Sequence, residues 1–337
     1  MSATALRQPV VSERARAFMR DSVICDLTLP WGPANENKET VLPRFARSGF
    51  TFVSLTVGMD WTSLEQTVRH IAAETARFRC QPDTYILATT VADIRRAKRE
   101  GKLAVGFHFQ GTNPVDRDIN MLRVYRALGV GQMLLAYNEK NHVGDGCHER
   151  TDAGLSRFGL RLIEEMNRVG IILDCTHTGY RSTMEAMEAT RAPCIFSHSV
   201  AHALKPHDRN IRDDQVRACA ATGGVIGING VGLFLADNDA SPGVLANHID
   251  HIARLAGPQH IALGLDLVYY MDSMLARWRT NRDRYPRGYP EPPWHFFQPE
   301  DVALLVDELL CRGYGDHDVR GILGENYLRI AQAVWKS

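Results

Sequence analysis

The sequence of 337 residues has no net charge, no long apolar run and no paired cysteines. Lys and Arg together number 39, and so do Asp and Glu, so the chain lacks the basic excess of nucleic-acid-binding and membrane-surface proteins. No segment approaches the roughly 18 consecutive apolar residues of a membrane-spanning helix. The first twenty residues lack the apolar core of a secretory signal. We therefore expect a protein that binds neither nucleic acid nor membrane.

The seven cysteines are scattered singly, without any Cys-x-x-Cys pair. An odd number in a chain of this length is not a disulfide framework and is typical of a reducing compartment, so we expect a cytoplasmic protein. Hydrophobic residues make up 45% of the chain and charged residues 23%, the balance of a globular protein with a sizeable core.

Short β-branched apolar runs alternate along the chain with longer stretches of helical periodicity. The predicted strands are Ser22–Leu27, Phe50–Thr56, Leu103–Gln110, Gly131–Tyr137, Gly170–Cys175, Cys194–His198, Gly224–Asn229 and His260–Asp266. Predicted helices include Asp116–Leu128, Ser156–Val169, Tyr180–Thr190, Asp213–Thr222 and Val244–Leu255. About eight strand–helix repeats indicate parallel strands joined by crossover helices. We expect one domain over residues 1–337, with a short N-terminal helical extension and a C-terminal helical pair near 300–312 and 316–335.

Polar residues at the strand ends favour a barrel over an open sheet. Gln110, Tyr137, His177, His198 and Asp266 each lie at or just beyond the carboxyl end of a different strand, and these ends meet at one mouth in a barrel. No Gly-rich nucleotide-binding loop follows the first strand. The sequence therefore predicts an α/β fold, a (β/α)₈ TIM-type barrel. A Pro-rich loop, Tyr285–Trp294, follows the eighth strand and is expected over the mouth.

Two consecutive strands end in motifs typical of metal ligands. One ends in Asp174-Cys-Thr-His177 and the next in Phe196-Ser-His198. Neutral imidazole is a common ligand of catalytic zinc, and adjacent parallel strands bring their carboxyl ends together. One such histidine alone is more simply a strand-end residue bonded to its neighbours. Two of them, with Asp266 ending the eighth strand, favour metal binding or catalysis.

A longer series of motifs, in the same order, resembles a known family. The series is Gly159-x-x-x-Ile163-x-x-Met166-Asn167-Arg168-x-Gly170, Asp174-Cys-Thr-His177, Phe196-Ser-His198-Ser, His207-Asp-Arg209-Asn210, Gly223-Gly224-Val225, Gly264-Leu-Asp266 and Gly324-Glu325-Asn326. It resembles the membrane (renal) dipeptidases of the amidohydrolase superfamily, and the resemblance runs from about Asp21 to Trp335. It implies a barrel-shaped, metal-dependent hydrolase of dipeptides, here as a divergent bacterial-type member.

The resemblance also implies roles for residues. In that family two zinc ions share a bridging glutamate from the third strand, a His-x-Asp pair on strand one holds one ion, and two histidines after strands five and six hold the other. His177 and His198 match those two histidines. Asp266 matches an aspartate that transfers protons, and Arg209 matches an arginine that binds the substrate carboxylate.

Three departures alter the expected metal site. Asp26-Leu27-Thr28 stands where the family has His-x-Asp, Gln110 replaces the bridging glutamate, and Tyr137 replaces a substrate-facing histidine. Because a neutral amide cannot offset the repulsion of two dications, we expect at most one zinc ion. His177 and His198 would hold it, with Gln110 or Asp266 completing the site; a site without metal stays open as an alternative.

Other polar residues leave their roles open. His108 points the same way as Gln110 if the third strand is regular, so it is either a third imidazole or a packed interior histidine, and Asp26 could replace a lost ligand. The polar loop from Tyr137 to Arg150 supplies substrate-binding candidates, which are Asn138, Glu149 and Arg150. Glu149 and Arg150 could equally form a structural ion pair. Cys147 is expected to be inert, since the sequence places no base beside it.

The leading hypothesis is hydrolysis of an amide in a small, carboxylate-bearing substrate, a dipeptide or an N-acyl amino acid. Asp266 would transfer the proton, Arg209 would hold the carboxylate and Tyr137 would donate to the oxyanion. The alternatives are a lyase, decarboxylase or deaminase step on a small acid, with one metal or none, and a catalytically silent binder. We expect weak turnover of generic dipeptides and, by resemblance, a homodimer.

Overall fold

The computed structural model describes residues 11–282 and 289–336, and in these residues nine parallel strands form one sheet. The strands are β1 (Cys25–Pro30), β2 (Phe52–Met59), β3 (Tyr85–Leu87), β4 (Leu103–Gln110), β5 (Val130–Leu134), β6 (Ile172–Asp174), β7 (Ile195–Ser199), β8 (Val225–Ile228) and β9 (Ile261–Leu263). Eight of them follow one another in the order β1-β2-β4-β5-β6-β7-β8-β9, and β3 pairs with β4 outside this path. The amide of Asp266 donates to the carbonyl of Thr28 over 3.1 Å, which brings the last strand back to the first. The predicted (β/α)₈ barrel is confirmed.

Helices connect the strands around the barrel. They are α1 (Glu13–Asp21), α2 (Lys38–Arg47), α3 (Leu64–Arg79), α4 (Val91–Glu100), α5 (Met121–Ala127), α6 (Arg157–Val169), α7 (Tyr180–Ala189), α8 (Asp213–Ala221), α9 (Gly232–Leu235), α10 (Pro242–Ala256), α11 (Met271–Thr280), α12 (Val302–Cys311), α13 (Asp316–Arg320) and α14 (Asn326–Val334). Local signals set their ends: Ser63 and Gln66 form a capping box at α3, and Gly170, at φ 86°, ends α6. No helix in the described ranges is long and apolar enough to cross a membrane.

Several element boundaries differ from the sequence prediction. The expected helix Asp116–Leu128 is a 3₁₀ turn at Asn113–Val115 followed by the shorter α5, because Asp116 and Arg117 have φ of 52° and 58°. The expected strands Gly131–Tyr137 and His260–Asp266 stop at Leu134 and Leu263. In both cases the last residues leave the ladder to form the barrel mouth.

The amino-terminal ends of the strands are closed by the C-terminal helix. Inward-facing residues at these ends, Cys25, Phe52 and Val225 among them, pack with Tyr327 and Leu328 of α14 into one apolar cluster. The Phe52 and Tyr327 rings stack with centroids 5.6 Å apart. The opposite ends of the strands therefore form the mouth at which ligand-facing side chains can gather.

The Pro-rich loop after β9 contributes to the mouth. Residues 285–288 of the predicted loop Tyr285–Trp294 lie outside the described residues. In the part that is described, Tyr289 is buried, and its hydroxyl lies 3.1 Å from Nε2 of His148. Its ring also packs against His207, with centroids 5.2 Å apart. This part of the loop therefore contacts the loops that follow β5 and β7.

Candidate active site

His177 and His198 meet at the barrel mouth, with their Nε2 atoms 2.9 Å apart. Both residues are buried. Nδ1 of His177 lies 2.6 Å from Oδ1 of Asn138, and Nδ1 of His198 lies 2.7 Å from Oγ of Ser197 and 3.0 Å from Oγ1 of Thr28. Each imidazole is thus held at Nδ1 and presents Nε2 to the other ring.

The hydrogen-bond network indicates which nitrogens carry protons. An amide oxygen only accepts, so His177 donates from Nδ1 to Asn138 and its Nε2 has a lone pair. The Ser197 hydroxyl donates to Oδ2 of Asp174, which leaves its oxygen to accept a proton from Nδ1 of His198. Thr28 Oγ1, 3.0 Å from Nδ1 of His198, can also donate to that nitrogen, and Nε2–H of His198 then donates to Nε2 of His177 over 2.9 Å. With the His198 proton on Nδ1 instead, the two Nε2 lone pairs converge and a cation can bind between the rings.

Both imidazoles are neutral at ordinary pH. Burial lowers the pKa of His177 and of His198 well below the usual range, and the positive charge of Arg209 lowers it further. Neutral imidazole is the form that binds metal ions.

The backbone is strained at three residues of the site. Asn138, His177 and Asp266 have φ of 63°, 61° and 53°, in the left-handed region that non-glycine residues seldom adopt. They follow β5, β6 and β9. Strain of this kind gathers where a side chain must be aimed against the local preference of the chain.

Tyr137 and Asn138 support His177 from the loop after β5. The Tyr137 ring stacks on the His177 ring, with centroids 3.9 Å apart and an angle of 25° between the planes. Its outer neighbour is Trp61, 5.2 Å away and 45% exposed. Oδ1 of Asn138, a predicted substrate-binding residue, lies against Nδ1 of His177, and the substrate-binding role stays a prediction.

Arg209 is a buried cation without a counter-ion. Its side chain is 3% exposed, and no carboxylate of the described residues lies within ion-pair distance of it. Nη2 makes one long contact of 3.5 Å to the carbonyl of His198, and the guanidinium lies 5.4 Å from the centre of the Phe234 ring. Nε has no partner among the described residues. A buried charge in this state indicates an anionic ligand.

Asp266 is a half-buried carboxyl group on the same side of the mouth. Its Oδ2 accepts a hydrogen bond of 3.2 Å from Asn229. Burial raises its pKa to about 6, although the charge of Arg209 and the Asn229 hydrogen bond act in the opposite direction. A carboxyl group with this pKa can both take and return a proton near neutral pH.

Gln110 and His108 belong to a separate network, which we call the closed network: Ser54, Thr56, His108 and Gln110 on β2 and β4. The ring nitrogens of His108 lie 2.9 Å from Oγ of Ser54 and 2.9 Å from Oγ1 of Thr56, and Gln110 donates to the same Oγ1 over 2.9 Å. Burial lowers the pKa of His108 to about 3. Both nitrogens of His108 are therefore engaged, and the packed interior histidine is the alternative that the geometry favours.

Asp26 bonds to the backbone where the barrel closes. Its Oδ1 accepts from the amides of Leu265 and Thr28, over 2.7 and 3.4 Å. Oδ2 has no partner among the described residues, and burial raises the pKa of this carboxyl well above its usual range. Asp26 therefore links β1 to the chain after β9.

The long loop after β5 divides its polar residues between the site and the surface. Glu149 accepts from the amides of Lys140 and Arg150 and lines the cavity described below, whereas Arg150 is exposed and lies outside that lining. Cys147 donates to Oδ1 of Asn138, and burial raises the pKa of its thiol to about 12. This agrees with the expectation of an inert cysteine.

A cavity of about 170 Å³, which we call the chamber, opens beside the histidine pair. Its walls come from the loops after β5, β6 and β7 and include Cys147, His177, Ser199, His207 and Arg209. Arg209 and His177 therefore line the same partly open cavity.

Comparisons with known proteins agree with this geometry. The model of the membrane dipeptidase family, peptidase family M19, matches residues 28–272. The chain belongs to the membrane dipeptidase family.

Relatives of this dipeptidase family member include fungal dipeptidases. An uncharacterized dipeptidase of Schizosaccharomyces pombe is 32% identical over 280 residues, which cover 78% of this chain and 60% of the relative. A dipeptidase of Aspergillus oryzae is 29% identical over 283 residues, covering 81% of this chain and 62% of the relative. The chain thus spans about three fifths of the length of these relatives.

Solved structures of other proteins share the fold. An amidohydrolase from Pseudomonas aeruginosa has a TM-score of 0.87 at 29% identity and covers 95% of this chain and 99% of its own. A metallo peptidase from Rhodobacter sphaeroides, liganded with a phosphinate mimic of L-Ala-D-Ala, has a TM-score of 0.77 at 18% identity and covers 94% of this chain and 100% of its own.

The donor atoms of this dipeptidase family member fit one metal ion and do not fit two. Two imidazoles converge through Nε2, and both are anchored at Nδ1 by oxygen atoms, which is the usual support of metal-ligating histidines. No third His, Cys, Asp or Glu of the described residues joins them in a ligand cluster. Gln110 lies in the closed network, and Thr28, in the place of a family carboxylate, bonds to His198.

Sequence reasoning missed several supporting residues. Asp60 accepts from the amides of Thr112, Asn113 and Tyr137 and so joins the loops after β2, β4 and β5. The predicted second strand ended at Thr56, whereas β2 runs to Met59; a strand drawn to its true end would have placed Asp60 at the mouth. Ser197 and Ser199 gave no signal beyond flanking His198.

Proposed function

We propose that the protein is a metal-dependent, dipeptidase-like hydrolase that cleaves an amide bond in a small substrate with a free carboxylate. The observation that carries this proposal is Arg209, a buried residue without a counter-ion among the described residues that lines the same chamber as His177. The family of the chain supports the reaction class, and the geometry supports the carboxylate.

We assign the metal position to the Nε2 atoms of His177 and His198, with zinc as the ion. A zinc ion held there would supply Lewis acidity and lower the pKa of water. The protein prepares the position by keeping both rings neutral and both Nδ1 protons engaged with Asn138 and Ser197. Two imidazoles provide less charge compensation than a carboxylate-rich site, so the affinity should be modest.

The remaining groups divide the other tasks. Arg209 donates to the substrate carboxylate and fixes the direction in which the substrate lies. Asp266, whose pKa is about 6, accepts the proton of the attacking water and returns it to the leaving amine. The phenol of Tyr137, whose ring lies on His177, donates a hydrogen bond to the carbonyl oxygen as negative charge develops.

The closed network leaves no ligands for a second metal ion, and this bears on which substrates the protein can turn over. A second ion would need ligands on β1 and β4, and the side chains there bond to one another and to the backbone instead. Without a second ion one charge stabiliser is missing, which typically lowers the rate about a hundredfold or more. We therefore propose weak turnover of generic dipeptides and a specialised small acid as the true substrate.

The test combines metal analysis with a substrate panel. Protein purified without chelator is assayed for zinc per chain and, with added zinc, for hydrolysis of dipeptides and N-acyl amino acids and of their carboxyl-terminal amides. We expect up to one zinc per chain and a preference for free carboxylates that Arg209→Met abolishes. Equal turnover of acids and amides would contradict carboxylate recognition, and two tightly bound zinc ions would contradict the single-ion site.

A further inference from the structure

Trp61 is an aromatic side chain exposed at the barrel mouth. Among the described residues five large hydrophobic side chains are exposed, and the other four are aliphatic residues of α5, α6 and the loop after β7. Trp61, 45% exposed, comes two residues after β2, at the carboxyl end of that strand. Single exposed apolar residues are common on protein surfaces, so its surroundings decide whether it has a function.

The turn that carries Trp61 is held by hydrogen bonds on both sides of the indole. The amide of Met59 donates to Oγ1 of Thr62 over 3.0 Å, and the amide of Thr62 donates to the carbonyl of Met59 over 3.0 Å. Asp60 accepts from the amide of Tyr137 over 2.8 Å, which joins this turn to the loop after β5. Because the turn is already fixed, little conformational entropy is lost when a ligand packs on the indole.

One aromatic ring lies between Trp61 and the histidine pair. The Tyr137 ring packs edge to face against Trp61, with centroids 5.2 Å apart, and stacks on His177, with centroids 3.9 Å apart. Neither Trp61 nor Tyr137 lines the chamber, whose wall includes Arg209. One residue of extended chain spans about 3.3–3.6 Å, so the group next to the scissile carbonyl, together with its side chain, covers the distance from His177 to Trp61.

A cation lies beside the exposed indole. Arg277 of α11 is exposed, and its guanidinium lies 5.2 Å from the centre of the Trp61 ring. Arg279, on the same helix, pairs with Glu291 at 3.6 Å, whereas no carboxylate of the described residues pairs with Arg277. An aromatic ligand gains both from stacking on the indole and from attraction between its π face and the guanidinium, while an aliphatic ligand gains only from burial.

We propose that Trp61 and Arg277 bind the acyl group of the substrate and that this group is aromatic. This rests on the proposed function, which places the scissile carbonyl at the histidine pair. The substrate is then an amino acid whose nitrogen carries an aromatic acyl group, either an arylacetyl group or an aromatic aminoacyl residue. Trp61 determines specificity, and neither Trp61 nor Arg277 takes part in the cleavage of the amide bond.

Binding and fluorescence measurements test this without relying on turnover. The full chain with Asp266→Asn, supplemented with zinc, is titrated by calorimetry with N-acetylglycine, N-(phenylacetyl)glycine and N-(cyclohexylacetyl)glycine. The phenylacetyl ligand should bind about tenfold more tightly than N-acetylglycine and about threefold more tightly than the cyclohexylacetyl ligand, which is of similar size but not aromatic. Because Trp61 is the exposed tryptophan of the described residues, the bound phenylacetyl ligand should also protect the protein fluorescence from quenching by acrylamide.

Variants separate this binding site from the fold. Trp61→Ala should weaken the phenylacetyl ligand about tenfold and leave N-acetylglycine within about twofold, whereas Trp61→Phe, which keeps an aromatic ring, should retain most of the preference. Arg277→Gln should weaken the phenylacetyl ligand about twofold to fivefold. Arg279→Gln, a matched change on the same helix, should have no effect, since Arg279 pairs with Glu291.

The possible failures of the inference and of the proposed function differ. Equal affinity for the phenylacetyl and cyclohexylacetyl ligands, or an equal loss for all three ligands in Trp61→Ala, overturns the inference and leaves the proposed function standing. Acrylamide quenching that is unchanged when the phenylacetyl ligand is bound also overturns the inference alone. Failure of all three ligands to bind contradicts the proposed function, and the inference with it.

Discussion

The two sides of the barrel mouth satisfy their polar groups in different ways. On the side of β2 and β4, the closed network pairs Ser54, Thr56, His108 and Gln110 with one another at 2.9 Å. On the side of β6 to β9, the Nε2 atoms of His177 and His198 meet at 2.9 Å, and Nε of Arg209 and Oγ of Ser199 have no partner among the described residues. Both sides are buried, so burial alone does not separate them.

The difference teaches where a ligand is required. A self-satisfied network gains nothing from a further partner, because each hydrogen bond to a ligand would replace one that already exists. A buried cation without a counter-ion remains costly until an anion arrives, and two converging imidazoles offer a position at which a metal ion can bind. We infer that the β2–β4 side is structural and that the β6–β9 side carries the chemistry.

Replacing one histidine on each side of the mouth by alanine should give the largest effects, on zinc binding in one case and on stability in the other. His177→Ala removes one of the two converging ligands, so zinc per chain should fall to zero and hydrolysis by on the order of a thousandfold, since several kcal/mol of charge stabilisation are lost. His108→Ala should lower the free energy of unfolding by a few kcal/mol, because it leaves a cavity and two buried hydroxyls, and should keep the zinc. Elemental analysis and chemical denaturation measure both. If His108→Ala lost its zinc and His177→Ala kept it, the metal site would lie on the β2–β4 side and not on the β6–β9 side.

Removing the Arg209 guanidinium should lower the turnover of substrates with a free carboxylate and of no other class. Arg209→Met removes hydrogen bonds from a charged donor, which should lower kcat/KM for free-carboxylate substrates roughly tenfold to a hundredfold. Amide-capped substrates, which never gained from the guanidinium, should change little. Steady-state kinetics on matched acid and amide pairs measure the effect. An equal loss for both members of a pair would mean that Arg209 acts on the fold.

Removing the hydrogen bond that holds Nδ1 of His177 should lower the zinc affinity by a smaller factor. Asn138→Leu removes the acceptor of the Nδ1 proton, and loss of such an outer partner typically lowers metal affinity about 10- to 100-fold. Asn138→Asp keeps an acceptor in place and should retain or increase affinity. Competition against a zinc chelator gives both values. Equal weakening by the two changes would point to the strained backbone at Asn138, at φ 63°, as the cause.

The dependence of kcat/KM on pH should follow the protonation of the Asp266 carboxyl group. Because burial raises its pKa to about 6, the carboxylate that accepts the proton is lost as pH falls through that value, and kcat/KM should fall on the acid side with an apparent pKa near 6. The charge of Arg209 lowers this pKa, so Arg209→Met should move the acid limb to higher pH. If the apparent pKa on the acid side were the same in Arg209→Met as in the wild type, the titrating group would not be Asp266.

The sequence predicts the barrel because its signal is repeated eight times and each strand is short, apolar and bounded. It also places His177, His198 and Asp266 at the mouth with Gln110 and Tyr137, since each ends a different strand, and the family resemblance adds Arg209. The boundaries near the mouth could not be predicted, because the apolar pattern continues past Leu134 and Leu263, where β5 and β9 end, and sequence periodicity does not show the positive φ of Asn138 and Asp266 beyond them.

The partners of the site residues could not be predicted either. Whether a buried amide or imidazole faces a ligand or a neighbouring hydroxyl depends on the register between strands, which a single strand does not encode. Asn138 and His108 illustrate this: Asn138 bonds to His177, and both nitrogens of His108 meet hydroxyls of β2. Departures from the family motif at Thr28 and Gln110 predicted that the first metal position has changed, and this stays a prediction.

The smallest effect should come from restoring a single family ligand on the closed side. Gln110→Glu puts back the carboxylate that bridges two ions in the family, but Thr28 and Asp26 still offer no second pair of ligands. Burial should raise the pKa of the new carboxyl group, so that its O–H donates to Thr56 in place of the amide. We expect unchanged zinc content, a loss of stability of about 1 kcal/mol and little change in turnover.

The combined variant Asp26→His, Thr28→Asp, Gln110→Glu sharpens this test, since it returns the whole ligand set that the family resemblance implies. A second zinc in the triple variant, absent from the single one, would show that the closed side differs from a metal site only by these three side chains. A second zinc in Gln110→Glu alone would show that the network of Ser54, Thr56 and His108 opens readily to bind an ion. The two sides of the mouth would then differ only in whether a metal ion is bound, and not in whether they can bind one.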